Sequence, residues 1–518
     1  MNNQAQNSDW ELSDFGLTDS QWDDFSKNKT NIVPQTTDYL LRDSREYAIY
    51  VCSFRAIPSV EDGLKQGQRI ALWLLRNRAE KIKTFALSGL MGFERLYVHG
   101  EVSAQDAIGK LAAPYKNNVP LIEGLGQFGN RVAPVEGIGA PRYTEVRRAK
   151  ASEAFLYRDL DLIPLQENYD GSNVQPKHFL PLIPTVLLNG VAGVAVGWST
   201  EILPRSLKDL IQATQDALAG KPIKKLVPSY NHYDITVKNT GPNQWEFGGK
   251  VKILDTSTVQ ITELPPGENI ENFRAMLIKM ENGDAPFTKE KLGEECPVVG
   301  FTDRSTDCID ITVKFKRGYL GAQPARVDEE TVDGKKLKIR IPARSAMKEA
   351  DIIKFFKLTE KVTERIVVID WGGTAIRTYP SAEELVVDFA NWRLGWFTKR
   401  YQKLVDDTIY ERTYWRTIAA LFKDNFTKRL GTFTDRNAME VDVLAVATKA
   451  KIKLEDKQLD RVINLPTYRW TKMFEAEVLS KINELDKDIL EYQTIVKSPD
   501  RLKAIYHTEL EELKKLKL

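Results

Sequence analysis

The spacing of apolar positions divides the chain into stretches of different character. From Asp38 to about residue 112, apolar residues recur every three to four positions. "TDYLLRDSREYAIYVCSFRAI", "GLKQGQRIALWLLRNRAEKIKTFALSGL" and "GEVSAQDAIGKLAAPY" therefore predict a cluster of short helices, two of them in the middle stretch. Across 180–350 the period changes to two. "YDITVKNTGPNQWEFGGKVKILDTSTVQITELPPG", "IDITVKFKRG" and "KKLKIRIPA" predict strands, and "ENFRAMLIKMENG" a helix, hence an α+β region. Residues 381–426 contain no proline and set Tyr401, Leu404, Thr408, Trp415, Ile418 and Phe422 near one stripe, which predicts one long helix. A second is predicted over 470–497, with Phe474, Val478, Ile482, Leu485, Ile489, Tyr492 and Ile495 on its stripe and Pro499 after it. A short helical piece over 436–465 lies between them. The pair predicts either an antiparallel coiled-coil arm carrying a knob or an ordinary helical bundle, and the long stripe favours the arm.

Residues 1–37 stand apart. "SDWELSDFGLTDSQWDDFSKNKT" interleaves acids with Trp10, Phe15, Trp22 and Phe25, a composition suited either to docking on a partner or to disorder. Residues 41–150 hold 17 Lys/Arg against 11 Asp/Glu, although the whole chain carries only +2. That local excess suits a polyanion or a solvated surface. At 518 residues, with 42% hydrophobic and 28% charged positions, the chain has the make-up of a globular protein of about three to four domains. Cys52, Cys296 and Cys308 form no C-x-x-C, and four histidines supply no zinc spacing, which fits a reducing cytoplasm. The polar start carries no signal peptide, and the longest apolar run, "LPLIPTVLLNGVAGVAVGW", is broken by Pro and Gly. The expectation is a cytoplasmic protein with no membrane partner.

One stretch carries chemistry. "GIGAPRYTEVRRAK", residues 137–150, sets Tyr143 directly after Arg142, behind a Gly/Ala/Pro turn and ahead of Arg147, Arg148 and Lys150. A tyrosine hydroxyl is a weak nucleophile unaided, but beside fixed positive charge and facing a phosphate it becomes a useful one. Elsewhere, "NGVAGVAVG" has glycines at 190, 193 and 197, out of the order a dinucleotide site needs, and no phosphate loop occurs. "DLDL", residues 159–162, contains a D-x-D in a helix-like run and reads as surface rather than as a metal site.

Five stretches then follow in a specific order: "FRAIPSVEDGLKQGQRIAL", "YVHGEVSAQDAIGKLA", "PLIEGLGQFGNRVAPVEGIGAPRYTEVR", "ENYDGSNVQPKHFLPLIPTVLLNGVAGVAVGWSTEILP" and "ITELPPG". In wording and order they closely resemble the breakage-reunion (A-type) subunit of type IIA DNA topoisomerases, over roughly residues 40–510. "GLKQGQR", "GQFGNR" and "VGWST" are more similar to the eukaryotic wording than to that of gyrase. On a separate chain of this length, the likeness is to the medium subunit of large tailed-phage topoisomerases.

The resemblance implies a multidomain α+β fold. An acidic extension over 1–37 would precede a winged-helix DNA-gate domain with the catalytic tyrosine over 38–160. An α/β tower domain would span 161–350. A long antiparallel coiled coil over 351–518 would carry a helical exit-gate knob near 430–468. It implies the DNA-cleaving and religating subunit of an ATP-dependent type II DNA topoisomerase, performing relaxation and decatenation. In that family the tyrosine matching Tyr143 attacks a phosphodiester and becomes joined to the 5′ phosphate. Arg142 matches the residue that neutralises the phosphate, His99 a histidine near the scissile phosphate, and Arg55, Lys65 and Arg69 the grip on the DNA backbone. Val194 matches a wedge between base pairs, where the family usually has isoleucine. Gln68, Ile70 and Tyr97 depart from the bacterial wording, which has His, Arg and His there. Mg²⁺ and ATP are both implied on a partner chain, so the partners are double-stranded DNA, a second copy of the chain and an ATPase/metal-binding subunit. Two other readings remain at this point. A non-catalytic winged-helix architectural protein with a coiled-coil dimer needs no Arg-Tyr pair, and a tyrosine recombinase would need its tyrosine far later than residue 143.

Overall fold

The computed structural model describes residues 44–132, 139–288, 295–306, 308–332, 335–341, 343–466 and 469–516. The acidic extension expected over 1–37 lies outside the described residues.

The first body is built on three short helices, Gln66–Leu75, Thr84–Phe93 and Glu101–Ala112. Ile70, Leu72, Leu75, Leu87, Met91, Ile108 and Leu111 are buried in one shared core, at the helical spacing that the apolar pattern required. A three-stranded antiparallel sheet closes the open side, with Glu145–Arg148 between Ile82–Lys83 and Ile122–Leu125. Val146 and Ile122 turn inward and are fully covered. The apolar pattern points only to helices here, because strands of two and four residues are too short for alternation to register.

Farther along, two more antiparallel sheets form. One orders Thr359–Thr363, Gln244–Gly248 and Thr236–Gly241; the other orders Lys250–Ile253, Thr258–Glu263, Ile311–Phe315 and Val298–Asp303. In Thr258–Glu263 every second residue is buried, so the period of two is one face of the sheet. That face packs on the helix Ile270–Asn282 through Phe273, Leu277 and Met280. The Asn269 side chain caps the helix, accepting from Glu271 N–H at 2.8 Å, and Gly283 ends it at φ +69°.

The boundary expected at residue 350 is corrected. Ile352, Phe356 and Leu358 fill the core of the four-stranded sheet. Thr359–Thr363 pairs with Gln244–Gly248, and the hairpin Ile366–Ile369/Ile376–Tyr379 packs through Val367 and Ile369 against Ala56 and Ile57. The apolar residues after 350 complete cores that earlier strands leave open, and the long helix that starts after Ser381 is still packed in the first body's core through Leu385, Val386, Phe389 and Phe397.

There the helix Ala382–Lys423 begins, capped by Ser381 Oγ accepting from Glu384 N–H at 3.2 Å. Its 42 residues extend about 63 Å. Lys472–Lys497 runs back along it: Tyr401 meets Tyr492, Arg412 pairs with Asp486 at 2.8 Å, and Trp415 meets Phe474. The descending partner numbers make the pair antiparallel. At the far end Arg436–Lys449 and Asp456–Ile463 close a small core of Ile418, Leu421, Phe426, Val443, Val462 and Val478.

One further reading is corrected at the near end. The second long helix ends at Lys497, before Pro499 as expected, and Pro499 then occupies the first turn of another helix, Pro499–Lys515, where its missing N–H costs nothing. That helix returns to the first body: Tyr506 is buried, stacks on Phe397 at 4.6 Å and donates to Leu182 O at 2.6 Å. Asp159, read as surface, is buried beneath Arg393, which it binds, and Arg400, at 2.6 Å. A carboxylate this deep needs such partners.

Candidate active site

Tyr143 stands on the turn entering the central strand Glu145–Arg148. Its N–H donates to Ala140 O at 2.8 Å, closing the turn. The carbonyls of Thr144 and Pro141 accept from Thr84 N–H at 3.0 Å and Phe85 N–H at 3.2 Å. The turn thereby satisfies two donors at the start of a helix that would otherwise lack partners. Thr144 Oγ1 and Thr84 Oγ1, 2.8 Å apart and buried, fasten the same junction. The backbone is held while the side chain is not: Tyr143 is 75% exposed, and its neighbour Arg142 is exposed with its guanidinium carbon 6.0 Å from the Tyr143 ring centre. Neither side chain hydrogen-bonds to another described residue, so both are available to an incoming group.

A second group forms around His99. Residues 44–50 are α-helical, and the helix continues as a π turn over Val51–Ala56, with Ile57 N–H donating to Cys52 O at 3.1 Å. In a regular α-helix, Tyr50 and Arg55 would point about 140° apart. The wider i→i+5 turn lets residues five apart share a face. Both reach the same imidazole: Tyr50 Oη lies 2.6 Å from His99 Nε2, and Arg55 Nη2 lies 2.6 Å from Nδ1. Tyr97 packs its ring edge-on to His99 at 5.1 Å. Burial, and then the charge of Arg55, hold the His99 pKa below its ordinary value, so the ring is neutral near pH 7.

The hairpin Val191–Val194/Ser199–Ile202 joins this group from below. Val194 stands at its tip, 85% exposed, with Val196 and Trp198 also exposed. A Cβ on Gly193 would come within 2.1 Å of Ala56 O, so only glycine lets the hairpin lie against the π turn. Lys65 Nζ donates to Ala192 O at 2.8 Å; burial, then the nearby Lys110, lower its pKa. Arg55, Lys65 and Val194 are thus tied to one locked corner.

The expectation for Arg69 is corrected. Its guanidinium is buried and forked onto Asp62, Nε to Oδ2 at 2.7 Å and Nη2 to Oδ1 at 2.8 Å, and it also donates to Leu64 O at 3.0 Å. Asp62 further accepts from Leu64 N–H and Phe179 N–H, at 3.1 and 3.0 Å. This is an internal brace that shapes the loop before Gln66–Leu75, not a free cation for a phosphate. Sequence reasoning missed Asp62 and Tyr50. The only trace of Tyr50 is its position five residues before Arg55, which means nothing until the turn is known to be π.

Among the described residues, no three His, Cys, Asp or Glu side chains gather where they could hold a metal ion. Asp159 is committed to Arg393 and Arg400, and Asp161 to Lys403. The described residues therefore do not fit a Mg²⁺ centre. No helix among them is long and apolar enough to cross a membrane.

Comparison with known proteins bears on this arrangement. The family model for the A-type chain of DNA gyrase/topoisomerase IV matches residues 55–343. The DNA topoisomerase medium subunit of Enterobacteria phage T4 is 29% identical over 475 residues, 90% of this chain and 96% of its own. DNA topoisomerase 2-alpha of Gallus gallus is 30% identical over 358 residues, 68% of this chain but 21% of its own. In fold, the chain is similar to the DNA-binding, cleavage and re-ligation domain of Plasmodium falciparum topoisomerase II, with TM-score 0.74 at 20% identity, covering 92% of this chain and 64% of that one. The chain thus spans nearly all of the phage relative and about a fifth of the vertebrate one.

The mixed α+β fold is that of a topoisomerase II DNA-binding, cleavage and re-ligation domain. The chain belongs to the family of DNA gyrase/topoisomerase IV A-type chains. Its function is the cleavage and religation of DNA within a type II topoisomerase, an isomerase, and the non-catalytic alternative is set aside.

Proposed function

We propose that Tyr143 is the nucleophile of this reaction. Its phenol oxygen attacks a backbone phosphorus, forming a 5′-phosphotyrosyl bond. The phenol gives up its proton, the bond to the 3′ oxygen breaks, and that oxygen takes up one proton to leave as a hydroxyl, so the exchange is proton-neutral. Reversal reseals the strand without net bond energy. The observation that carries this reading is the exposed Tyr143 on a backbone pinned from both sides, with Arg142 beside it. Arg142 neutralises the phosphate, because a guanidinium stays protonated and can fork onto two oxygens. Arg55 and Lys65 bind the DNA backbone at the corner, and exposed Val194 wedges between base pairs to bend the duplex.

The helices and small sheet around Tyr143 serve as a winged-helix gate domain, the middle sheets as a tower, and the paired long helices as a coiled-coil arm whose tip is the exit gate. A second copy supplies a second Tyr143, so both strands are cut and another duplex passes. Enzymes of this family depend on ATP and Mg²⁺. Both belong on a partner chain. The test is incubation of the chain, its partner subunit, Mg²⁺ and end-labelled duplex, followed by detergent. Wild type leaves protein on 5′ ends, and Tyr143→Phe leaves none. Binding without any adduct in the wild type would overturn the reading.

A further inference from the structure

We propose that the Tyr50 hydroxyl, rather than His99, is the group of the corner cluster that meets a DNA phosphate, with His99 acting behind it as a positioning residue. The inference rests on the reading above that DNA crosses this corner, and it follows from the directions of the hydrogen bonds.

A guanidinium can only donate. Arg55 Nη2 lies 2.6 Å from His99 Nδ1, so Nδ1 must be the accepting nitrogen. A neutral imidazole has one such nitrogen and one N–H, which places the proton on Nε2. Arg55 Nε–H is also directed at Nε2, at a longer 3.2 Å. The shorter approach decides, because two donors could not share 2.6 Å. Nε2–H therefore donates to Tyr50 Oη, 2.6 Å away. Both ring nitrogens are then taken, and His99 has nothing left for a phosphate.

Tyr50 is in the opposite position. Its oxygen accepts from His99, its own O–H is not used by the cluster, and it makes no other side-chain hydrogen bond to a described residue. The chain of donors runs from the Arg55 cation through the ring to the phenol, and each bond polarises the next. Its free end is an O–H donor suited to a phosphate oxygen. The surroundings favour an anion. Arg55 is exposed and ion-pairs with no described carboxylate, Lys65 lies across the Gly193 contact, and the groups facing His99 are Arg55, Tyr50 and Tyr97. The π turn is what sets Tyr50 and Arg55 on one face, and such turns recur at functional sites.

The test uses the full chain with its partner subunit, measuring duplex affinity in a Tyr143→Phe background and adduct yield in the otherwise native protein. Tyr50→Phe keeps the ring packed on Phe54 and removes only the hydroxyl. It should weaken duplex binding about tenfold or more, as expected for a lost bond to a charged group. His99→Gln can still accept from Arg55 and donate to Tyr50, so it should retain more affinity than His99→Ala, which breaks the relay. A purely structural histidine would not show that rescue. If Tyr50→Phe binds like its parent, or if His99→Gln is as poor as His99→Ala, the proposal fails. An adduct that survives Tyr143→Phe would instead refute the nucleophile and leave the affinity result for Tyr50 standing.

Discussion

The Tyr143 turn and the His99 corner solve opposite problems. At the turn, the backbone is clamped through Ala140, Thr84 and Phe85 while the exposed Tyr143 and Arg142 side chains have no hydrogen-bond partner among the described residues. At the corner, the side chains are interlocked, His99 between Tyr50 and Arg55, and Lys65 against the hairpin. Under the proposed role of Tyr143, the turn leaves its oxygen open, among the described residues, to an incoming phosphate. The corner's side chains are already ordered against one another, so under the proposed DNA path it acts as a fixed template for a backbone. Arg55 and Arg69, fourteen residues apart in the same motif, show the same division. One faces the site, and the other holds up the loop beneath it.

Substitutions can break this comparison. The largest expected effect is Tyr143→Phe, which should abolish the covalent adduct while duplex affinity stays within about twofold of wild type, a neutral exposed hydroxyl adding little binding by itself. A large loss of affinity would make the turn a binding element. Next, Arg69→Ala strands the buried Asp62 carboxylate and should cost about 3–5 kcal/mol in denaturant unfolding. A stable variant that merely binds DNA poorly would restore Arg69 to the DNA surface. Arg142→Ala should slow adduct formation about 10²-fold, the scale of losing one group that stabilises developing charge, with little change in folding.

A smaller effect concerns pH. His99 is held below its ordinary pKa, so below about pH 6.5 the unfolded chain takes up a proton that the folded chain resists. Its contribution to stability is therefore steady above that pH, falls as pH drops toward the depressed folded value, and levels off beneath it. Denaturant midpoints at pH 8 and pH 6 should separate more for wild type than for His99→Gln. Equal separations would mean that the ring is not protected. The smallest is Val194→Ile. One added methylene on an exposed wedge should strengthen the bent complex by about 0.8 kcal/mol, read as duplex affinity.

Much of this was legible in the residues because their meaning is local. A stripe at helical spacing makes a helix wherever it packs, and Ala382–Lys423 and Lys472–Lys497 lie within a few residues of where periodicity put them. Alternation made Thr258–Glu263 a strand in the same way. The Arg-Tyr pair after a Gly/Ala/Pro turn marked candidate chemistry by residue type and adjacency alone. What the chain could not disclose by itself depends on contacts between distant segments. Strands as short as Ile82–Lys83 exist only because Glu145–Arg148 lies beside them. Pro499 looks like an ending, yet it opens a helix whose Tyr506 is buried against Phe397 and bonded to Leu182. Arg69 and Arg55 are the same residue type in one motif, and only the position of Asp62 separates brace from surface cation. Periodicity and residue chemistry determined the elements and the candidate nucleophile, because those follow from neighbours along the chain. Burial, hydrogen-bond direction and the meeting of Tyr50, Arg55 and His99 were decided only when residues far apart in sequence were packed within a few ångströms.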